Sequence, residues 1–123
     1  MKLSKKMLLS EDWNLPKEIN YKSVPDELPE KVIQFGEGNF LRAFIDWMFT
    51  KLIQNNLFDG KIVVVQPIPE GKIDEINNQD GLSTVILRGY KDGEFVEKKE
   101  IITCISRGIN PYTQWDEFIK IPI

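Results

Sequence analysis

The sequence predicts an α/β fold in which a parallel sheet carries an inserted β-hairpin. Two β-branched runs frame a stretch whose apolar residues recur every four positions, so strand, helix and strand follow one another over residues 31–66. That span has the length of one βαβ unit. The dipeptide Asp92-Gly93, between two later strand-like runs, is typical of a hairpin turn. A chain of 123 residues has room for one domain.

The composition is that of an ordinary globular protein, and it limits the classes of partner. The 16 basic and 19 acidic side chains leave a formal net charge of −3, which argues against nucleic acid. No apolar run approaches the roughly 18 residues of a membrane helix, so no membrane is expected either. The single cysteine, Cys104, indicates a reducing, cytoplasmic compartment. Because histidine is absent, no His-based catalysis and no metal site is expected in this chain.

Residues 1–29 are expected to form an irregular lead-in to a domain over residues 30–123. Three prolines interrupt this segment: Pro16, Pro25 and Pro29. It fits either a flexible arm or a loop that packs on the domain through Trp13, Leu15 and Tyr21. Its apolar stretch, residues 7–9, is much shorter than the roughly 7–15 residues at the centre of a signal peptide.

The β-rich run over residues 31–35 predicts a first strand that ends at Gly36. From Asn39 to about Asn56 the period changes, which predicts a helix. The apolar stripe of that helix consists of Phe40, Phe44, Met48 and Leu52, widened by Leu41, Ile45 and Phe49. Because polar positions are few, this helix is expected to be largely buried against a sheet or a partner.

Residues 61–66 predict a second strand, buried on both faces as in a parallel sheet, because four β-branched residues follow one another without alternation. A turn-rich loop after Pro67 leads to a short polar helix over residues 72–79. The hairpin strands are expected over residues 82–89 and 95–105. Pro111 is expected to begin a last helix over residues 112–120.

Several reactive or aromatic side chains are expected to serve the structure rather than chemistry. Cys104 lies in an apolar strand-like run, which favours a small, inert core residue. Trp47 and Trp115 fall in helical stretches and are expected to lie in the core. The run over residues 97–100, two lysines between two glutamates, is expected to be a solvated hairpin edge.

The turn that joins the first strand to the helix is the informative feature. It reads Gly36-Glu37-Gly38-Asn39-Phe40-Leu41-Arg42-Ala43. Glycine at the end of a strand permits a tight turn, and a second glycine lets backbone N–H groups approach a diphosphate. The following helix adds unpaired N–H groups and a partial positive charge. The pattern favours a partial Rossmann-type nucleotide-binding domain, and the alternative is an ordinary strand-to-helix turn.

Two positions depart from the usual dinucleotide pattern, and a third places a positive charge in the first turn of the helix. The third small residue is replaced by Leu41, and Ala43 is the candidate for close packing in its place. Arg42 opposes the helix dipole by roughly 0.3–1 kcal/mol, and either a bound phosphate or Asp46 could offset that cost. At the end of the second strand, where an acidic residue bonds the ribose of NAD, stands Gln66. Glu70 is either a substitute acid or a solvated surface charge.

Three stretches carry a resemblance to a known family. Residues 31–44 strongly resemble the nucleotide-binding start of the mannitol dehydrogenase family of long-chain polyol dehydrogenases, whose shared pattern is Gly-x-Gly-x-Phe-x-Arg-Ala. Residues 64–67 and 106–112 are similar to the branch of that family that reduces tagaturonate. The resemblance covers residues 30–120. It implies a cytoplasmic, NAD-dependent reduction of D-tagaturonate to D-altronate, with a hexuronate as the small-molecule substrate.

The resemblance also implies which residues hold the cofactor. The adenine and diphosphate cradle would consist of Gly36, Glu37, Gly38, Asn39, Phe40, Leu41 and Arg42, with Gln66 at the ribose. The family's catalytic lysine and its Asn and His partners belong to a helical C-terminal domain that no position here matches. No catalytic residue is therefore assigned, and this truncated chain by itself is expected to be inactive.

Two other functions remain open at this stage. One is a sister dehydrogenase that acts on fructuronate or mannitol, and the other is a nucleotide-binding or interaction module without chemistry. In a partial sheet, an unpaired strand edge or an uncovered helix face would be exposed. Self-association or marginal stability of the chain is therefore expected.

Overall fold

The computed structural model describes residues 3–9, 19–20 and 27–122. Within these ranges the chain forms two three-stranded sheets with helices packed beside them. In chain order the elements are α1 (Lys5–Leu9), β1 (Ile19–Asn20), β2 (Glu30–Phe35), a π-helical turn (Leu41–Ile45), α2 (Asp46–Gln54), β3 (Lys61–Val65), α3 (Ile73–Asn78), β4 (Ser83–Lys91), β5 (Glu94–Ile102), β6 (Ile105–Ile109) and α4 (Trp115–Ile119).

The first sheet is parallel, in the order β2-β3-β6. Its register pairs Val32 with Ile62 and Val64 with Gly108. Strand β3 is buried along its whole length, because it has a strand on each side and is covered on both faces. The predicted α/β class and the βαβ unit over residues 31–66 are confirmed.

The second sheet contains the predicted hairpin, with β4 and β5 antiparallel and β1 added parallel to β5. Asp92 and Gly93 have φ angles of 53° and 82°, as the two central residues of a type I′ turn require. The strand expected over residues 95–105 is wrong at its end. Strand β5 stops at Ile102, and the chain then crosses into the parallel sheet, where Ile62 N–H donates to the Cys104 carbonyl over 2.9 Å.

The predicted helix forms, but its predicted apolar stripe is not buried against the sheet. Phe40 is 72% exposed and Phe44 is also exposed, whereas Asp46 is 0% exposed and Thr50 and Ile53 are buried. One cause is the π-helical turn, in which Asp46 N–H donates to the Leu41 carbonyl and one extra residue rotates the following face. The other is that the sheet offers polar partners to the side chains at positions 46 and 50.

Those polar partners are defined by three hydrogen bonds. Gln34 donates to the Asp46 carboxylate over 3.2 Å. The Thr50 hydroxyl accepts from Thr103 N–H over 3.3 Å, and the Cys104 thiol donates to the Asp46 carbonyl over 3.2 Å. Polar side chains therefore face the core here because each finds a partner there.

The exposure of two side chains, Trp115 and Glu100, differs from the sequence prediction. Trp115 is 58% exposed, so its expected place in the core is wrong, whereas Trp47 is partly buried against the core. The run over residues 97–100 is not wholly solvated, because Glu100 is buried. Its carboxylate accepts from the Trp47 indole N–H over 3.0 Å and pairs with Lys51.

The last helix and the lead-in also differ in part from expectation. Helix α4 begins at Trp115 rather than Tyr112, because the Asn110 side chain accepts from Tyr112 N–H and holds residues 110–113 in a turn. The described parts of residues 1–29 include α1 and β1, so that segment is not irregular throughout. The expected contacts of Trp13, Leu15 and Tyr21 lie outside the described residues.

Candidate nucleotide-binding site

The glycine turn lies at the carboxyl end of β2, beside the carboxyl end of β3. Gly36 N–H donates to the Val65 carbonyl over 2.9 Å, which ties the turn to the neighbouring strand. In open α/β sheets, ligands bind in the crevice outside the carboxyl ends of the parallel strands. The turn that the sequence singles out therefore stands at the edge where a ligand is expected.

The two glycines of the turn are needed for different reasons. Gly36 has a φ of +126°, a region that other residues avoid, and a Cβ there would lie 2.8 Å from Leu41 Cδ1. Leu41, at the third position of the pattern, thus packs directly over the turn, and Ala43, expected to supply that packing, is exposed instead. A Cβ on Gly38 would meet no atom within 4 Å, so a ligand can approach its backbone.

Arg42 and Asn39 form a pair at the start of the helix. An Arg42 guanidinium N–H donates to Asn39 Oδ1 over 2.9 Å, while Arg42 Nε is buried without a hydrogen-bond partner. Burial raises the pKa of Asp46, and the charge of Arg42 opposes that rise, so Asp46 interacts with Arg42 as one of the two alternatives from the sequence expects. The unpaired Nε hydrogen leaves the other alternative, an acceptor such as a phosphate oxygen, chemically open.

A buried hydrogen-bond network supports the turn from beneath. The Gln34 amide donates to the Gly36 carbonyl over 3.0 Å and to Asp46 Oδ2 over 3.2 Å. Burial raises the pKa of Asp46 to about 6, and the Gln34 hydrogen bond and the Arg42 charge oppose that rise. Sequence reasoning missed Gln34, although a lone polar residue inside an apolar strand is a signal that could have found it.

On the other side of the turn, Glu37 and Gln66 both face the loop after β3. Gln66 is 3% exposed, and its amide donates to the carbonyls of Ile68 and Pro69 over 2.9 Å and accepts from Ile73 N–H over 3.4 Å. Every polar atom of this side chain is thus engaged by its own loop. A ribose contact through Gln66 stays a prediction.

Glu37 is 9% exposed, and its Oε1 accepts from Lys72 N–H over 3.3 Å while Oε2 is buried without a partner. A Cβ on Gly71 would lie 2.5 Å from Glu37 Oε1 and 2.5 Å from Gln66 Cδ. The loop therefore needs glycine at position 71, a requirement that the sequence did not reveal. Glu70 is exposed, as expected for a solvated charge.

An aromatic cavity of about 330 Å³ opens beside Gln66 at the same edge of the sheet. Tyr112 helps to close it, because its hydroxyl donates to the Pro67 carbonyl over 2.9 Å. The walls, mostly apolar, suit a flat heterocycle. The lining residues are Phe35, Val65, Gln66, Pro67, Pro111, Tyr112, Trp115 and Phe118.

Cys104 lies in surroundings that suit a structural role. Burial, with the nearby charge of Asp46, raises the pKa of the Cys104 thiol to about 12, so the thiol is the inert core residue that was expected. Among the residues that the structure describes, no group of three or more His, Cys, Asp and Glu side chains could hold a metal ion. No helix within the described ranges is long and apolar enough to cross a membrane.

A parallel β-α-β sheet with a glycine turn and a helix start at its carboxyl edge defines the class of Rossmann-type domains. Residues 30–120 match the family model described as the mannitol dehydrogenase Rossmann domain. The chain therefore belongs to the mannitol dehydrogenase family, and the resemblance drawn from residues 31–44 is confirmed.

Two curated relatives are altronate oxidoreductases. That of Halalkalibacterium halodurans is 53% identical over 104 residues, which are 84% of this chain and 20% of that protein. That of Bacteroides thetaiotaomicron is 49% identical over 106 residues, 85% of this chain and 22% of that protein. The chain thus spans about a fifth of the length of these relatives.

Solved structures share the fold at lower sequence identity. Mannitol 2-dehydrogenase of Pseudomonas fluorescens, in a ternary complex with NAD and D-mannitol, matches with a TM-score of 0.80 at 23% identity. The match covers 97% of this chain and 24% of that one. A substrate-free D-sorbitol dehydrogenase matches with a TM-score of 0.76 at 17% identity, over 98% of this chain and 24% of that one. The first of these structures contains NAD, the cofactor that the sequence predicts here.

Proposed function

We propose that this chain is the NAD-binding part of a cytoplasmic oxidoreductase that reduces D-tagaturonate to D-altronate with NADH. The observation that carries the proposal is the glycine turn, where the open backbone of Gly38 adjoins a helix start at the carboxyl edge of the parallel sheet. The hexuronate substrate is favoured over mannitol because two relatives at 53% and 49% identity are altronate oxidoreductases.

The residues present fit a dinucleotide. The diphosphate would lie against the open backbone of Gly38 and the first turn of the helix, where the dipole is positive. The adenine would enter the aromatic cavity beside Gln66 and Tyr112. In this arrangement the ribose would lie between the two, near Glu37.

These positions indicate separate roles for the cofactor and for the chain. The cofactor supplies a hydride for a substrate carbonyl, and the chain's own residues bind it and fix its orientation. Gln34 holds the turn through the Gly36 carbonyl, and Leu41 packs over it. We assign no residue of this chain to proton transfer.

Substitution of Gly38 by alanine tests the proposal without disturbing the fold. A Cβ at position 38 meets no protein atom within 4 Å, so Gly38→Ala should melt within about 2 °C of the wild type. The same methyl group would occupy the space that a diphosphate needs. We expect the Kd for NADH, measured by fluorescence titration, to rise at least about tenfold.

The matched control is Gly89→Ala, in strand β4. A Cβ at position 89 also meets nothing within 4 Å, and Gly89 lies in the hairpin rather than at the turn. This variant should keep both the melting temperature and the NADH affinity. Equal affinity of the wild type and Gly38→Ala for NADH would contradict the proposed site.

A further inference from the structure

The acid that usually selects NAD is missing from its usual place. In NAD-binding Rossmann domains an acidic residue at the end of the second strand bonds the ribose hydroxyls, where NADP carries its 2′-phosphate. Here that position is Gln66, which has no charge and whose amide is fully engaged by Ile68, Pro69 and Ile73. Coenzyme choice must therefore depend on another group.

Glu37 stands directly beside Gln66. The Glu37 carboxylate and the Gln66 amide each lie 2.5 Å from the point that a Cβ on Gly71 would occupy, so the two side chains are neighbours. Glu37 is 9% exposed, and its Oε2 has no hydrogen-bond partner. Solvent and salt screen the charge of a buried carboxylate only weakly, so the electrostatic repulsion from Glu37 extends to the end of β3.

Glu70, the other acid of this loop, is in a different position. It is exposed, and solvent and salt screen the charge of an exposed carboxylate. Of the two acids, only Glu37 combines burial with proximity to Gln66. The repulsion acts through space, so it does not require a ligand to touch the buried Oε2.

We infer that Glu37 is the specificity-determining residue for the coenzyme, and that its carboxylate excludes the 2′-phosphate of NADPH from the end of β3. This inference rests on the proposed function, since it assumes that a dinucleotide binds at the turn. It assigns to the residue between the two glycines the task that the strand-end acid performs elsewhere.

The test is Glu37→Gln, which removes the charge and keeps an oxygen for Lys72 N–H. The Kd values of the full 123-residue chain for NADH and NADPH are measured by fluorescence titration. We expect the ratio Kd(NADPH)/Kd(NADH) to fall about tenfold or more, mainly because NADPH binds more tightly. Glu70→Gln, with the same change of charge in the exposed part of the loop, should leave the ratio within about twofold of the wild type.

Two results with a folded Glu37→Gln variant would overturn the inference. A folded Glu37→Gln with the wild-type ratio would do so, and so would equal shifts in both variants, which would assign the effect to net charge. If Glu37→Gln does not fold, Glu37→Ala in parallel must show the same fall in the ratio. A wild type that binds neither coenzyme would instead remove the proposed function, and this inference with it.

Discussion

At the scale of single residues, Gln34 joins two parts of the chain that hold the glycine turn in place. Its amide holds the Gly36 carbonyl on one side and the Asp46 carboxylate on the other. Asp46 is fully buried, and its Oδ1 has no hydrogen-bond partner. The turn is thus fixed from beneath by a carboxyl group that burial makes costly to ionise.

Asp46 should make stability depend on pH with a definite sign. Burial raises its pKa to about 6 from an ordinary 3.8, so between these values the folded chain binds more protons than the unfolded one. Stability contributed by Asp46 is therefore present below pH 3.8 and lost as pH rises to about 6. The loss amounts to at most about 3 kcal/mol, at 1.36 kcal/mol per pKa unit.

The variant Asp46→Asn removes this dependence. Relative to the wild type, it should gain stability by up to about 3 kcal/mol between pH 4 and pH 7, measured by urea unfolding at each pH. A constant difference between Asp46→Asn and the wild type across this range would refute the assignment.

At the scale of elements, the sequence is informative where one physical signal dominates. The β-branched run of β3 and the turn at Asp92-Gly93 each have a single structural solution, and both are found as predicted. The boundary between β5 and β6 is different, because residues 101–105 are apolar except Thr103 and no local signal marks the change of partner. Only the tertiary pairing of β6 with β3 ends β5 at Ile102.

The hydrophobic pattern of the helix after the turn does not predict which of its faces packs against the sheet. Four apolar residues at a spacing of four outweigh two polar ones in any pattern, yet Asp46 and Thr50 face the sheet. Their partners are Gln34, in strand β2, and the backbone of Thr103, in the crossing between β5 and β6, and both are distant in sequence. In the site, likewise, the role of the turn glycines could be predicted from the sequence. The hydrogen bonds between Gln66 and the loop after β3 could not, because they depend on tertiary contacts.

At the scale of the whole molecule, the exposed side of this helix differs from an ordinary polar surface. Phe40, Phe44, Met48 and Leu52 are all exposed and form one stripe. Contiguous apolar surface of this kind typically marks an interaction site or a tendency to associate. We therefore propose that the chain self-associates through this stripe.

Sedimentation velocity over a range of concentrations tests that proposal. The wild type should show species larger than the 14.3 kDa monomer, and Phe44→Ser should shift the distribution towards the monomer. Tyr90→Ser, which replaces a more exposed aromatic residue in the hairpin, is the control and should behave like the wild type. A monodisperse wild-type monomer at high concentration would exclude self-association.

The central claim, that the glycine turn binds the dinucleotide, is tested most directly by mapping backbone amide NMR shifts of the ¹⁵N-labelled chain during titration with NADH. The account predicts saturable shifts concentrated at the amides of Gly36, Gly38 and Asn39, with Gly89 unmoved. Saturable shifts that instead cluster in the hairpin, or no shifts at millimolar NADH, would contradict it.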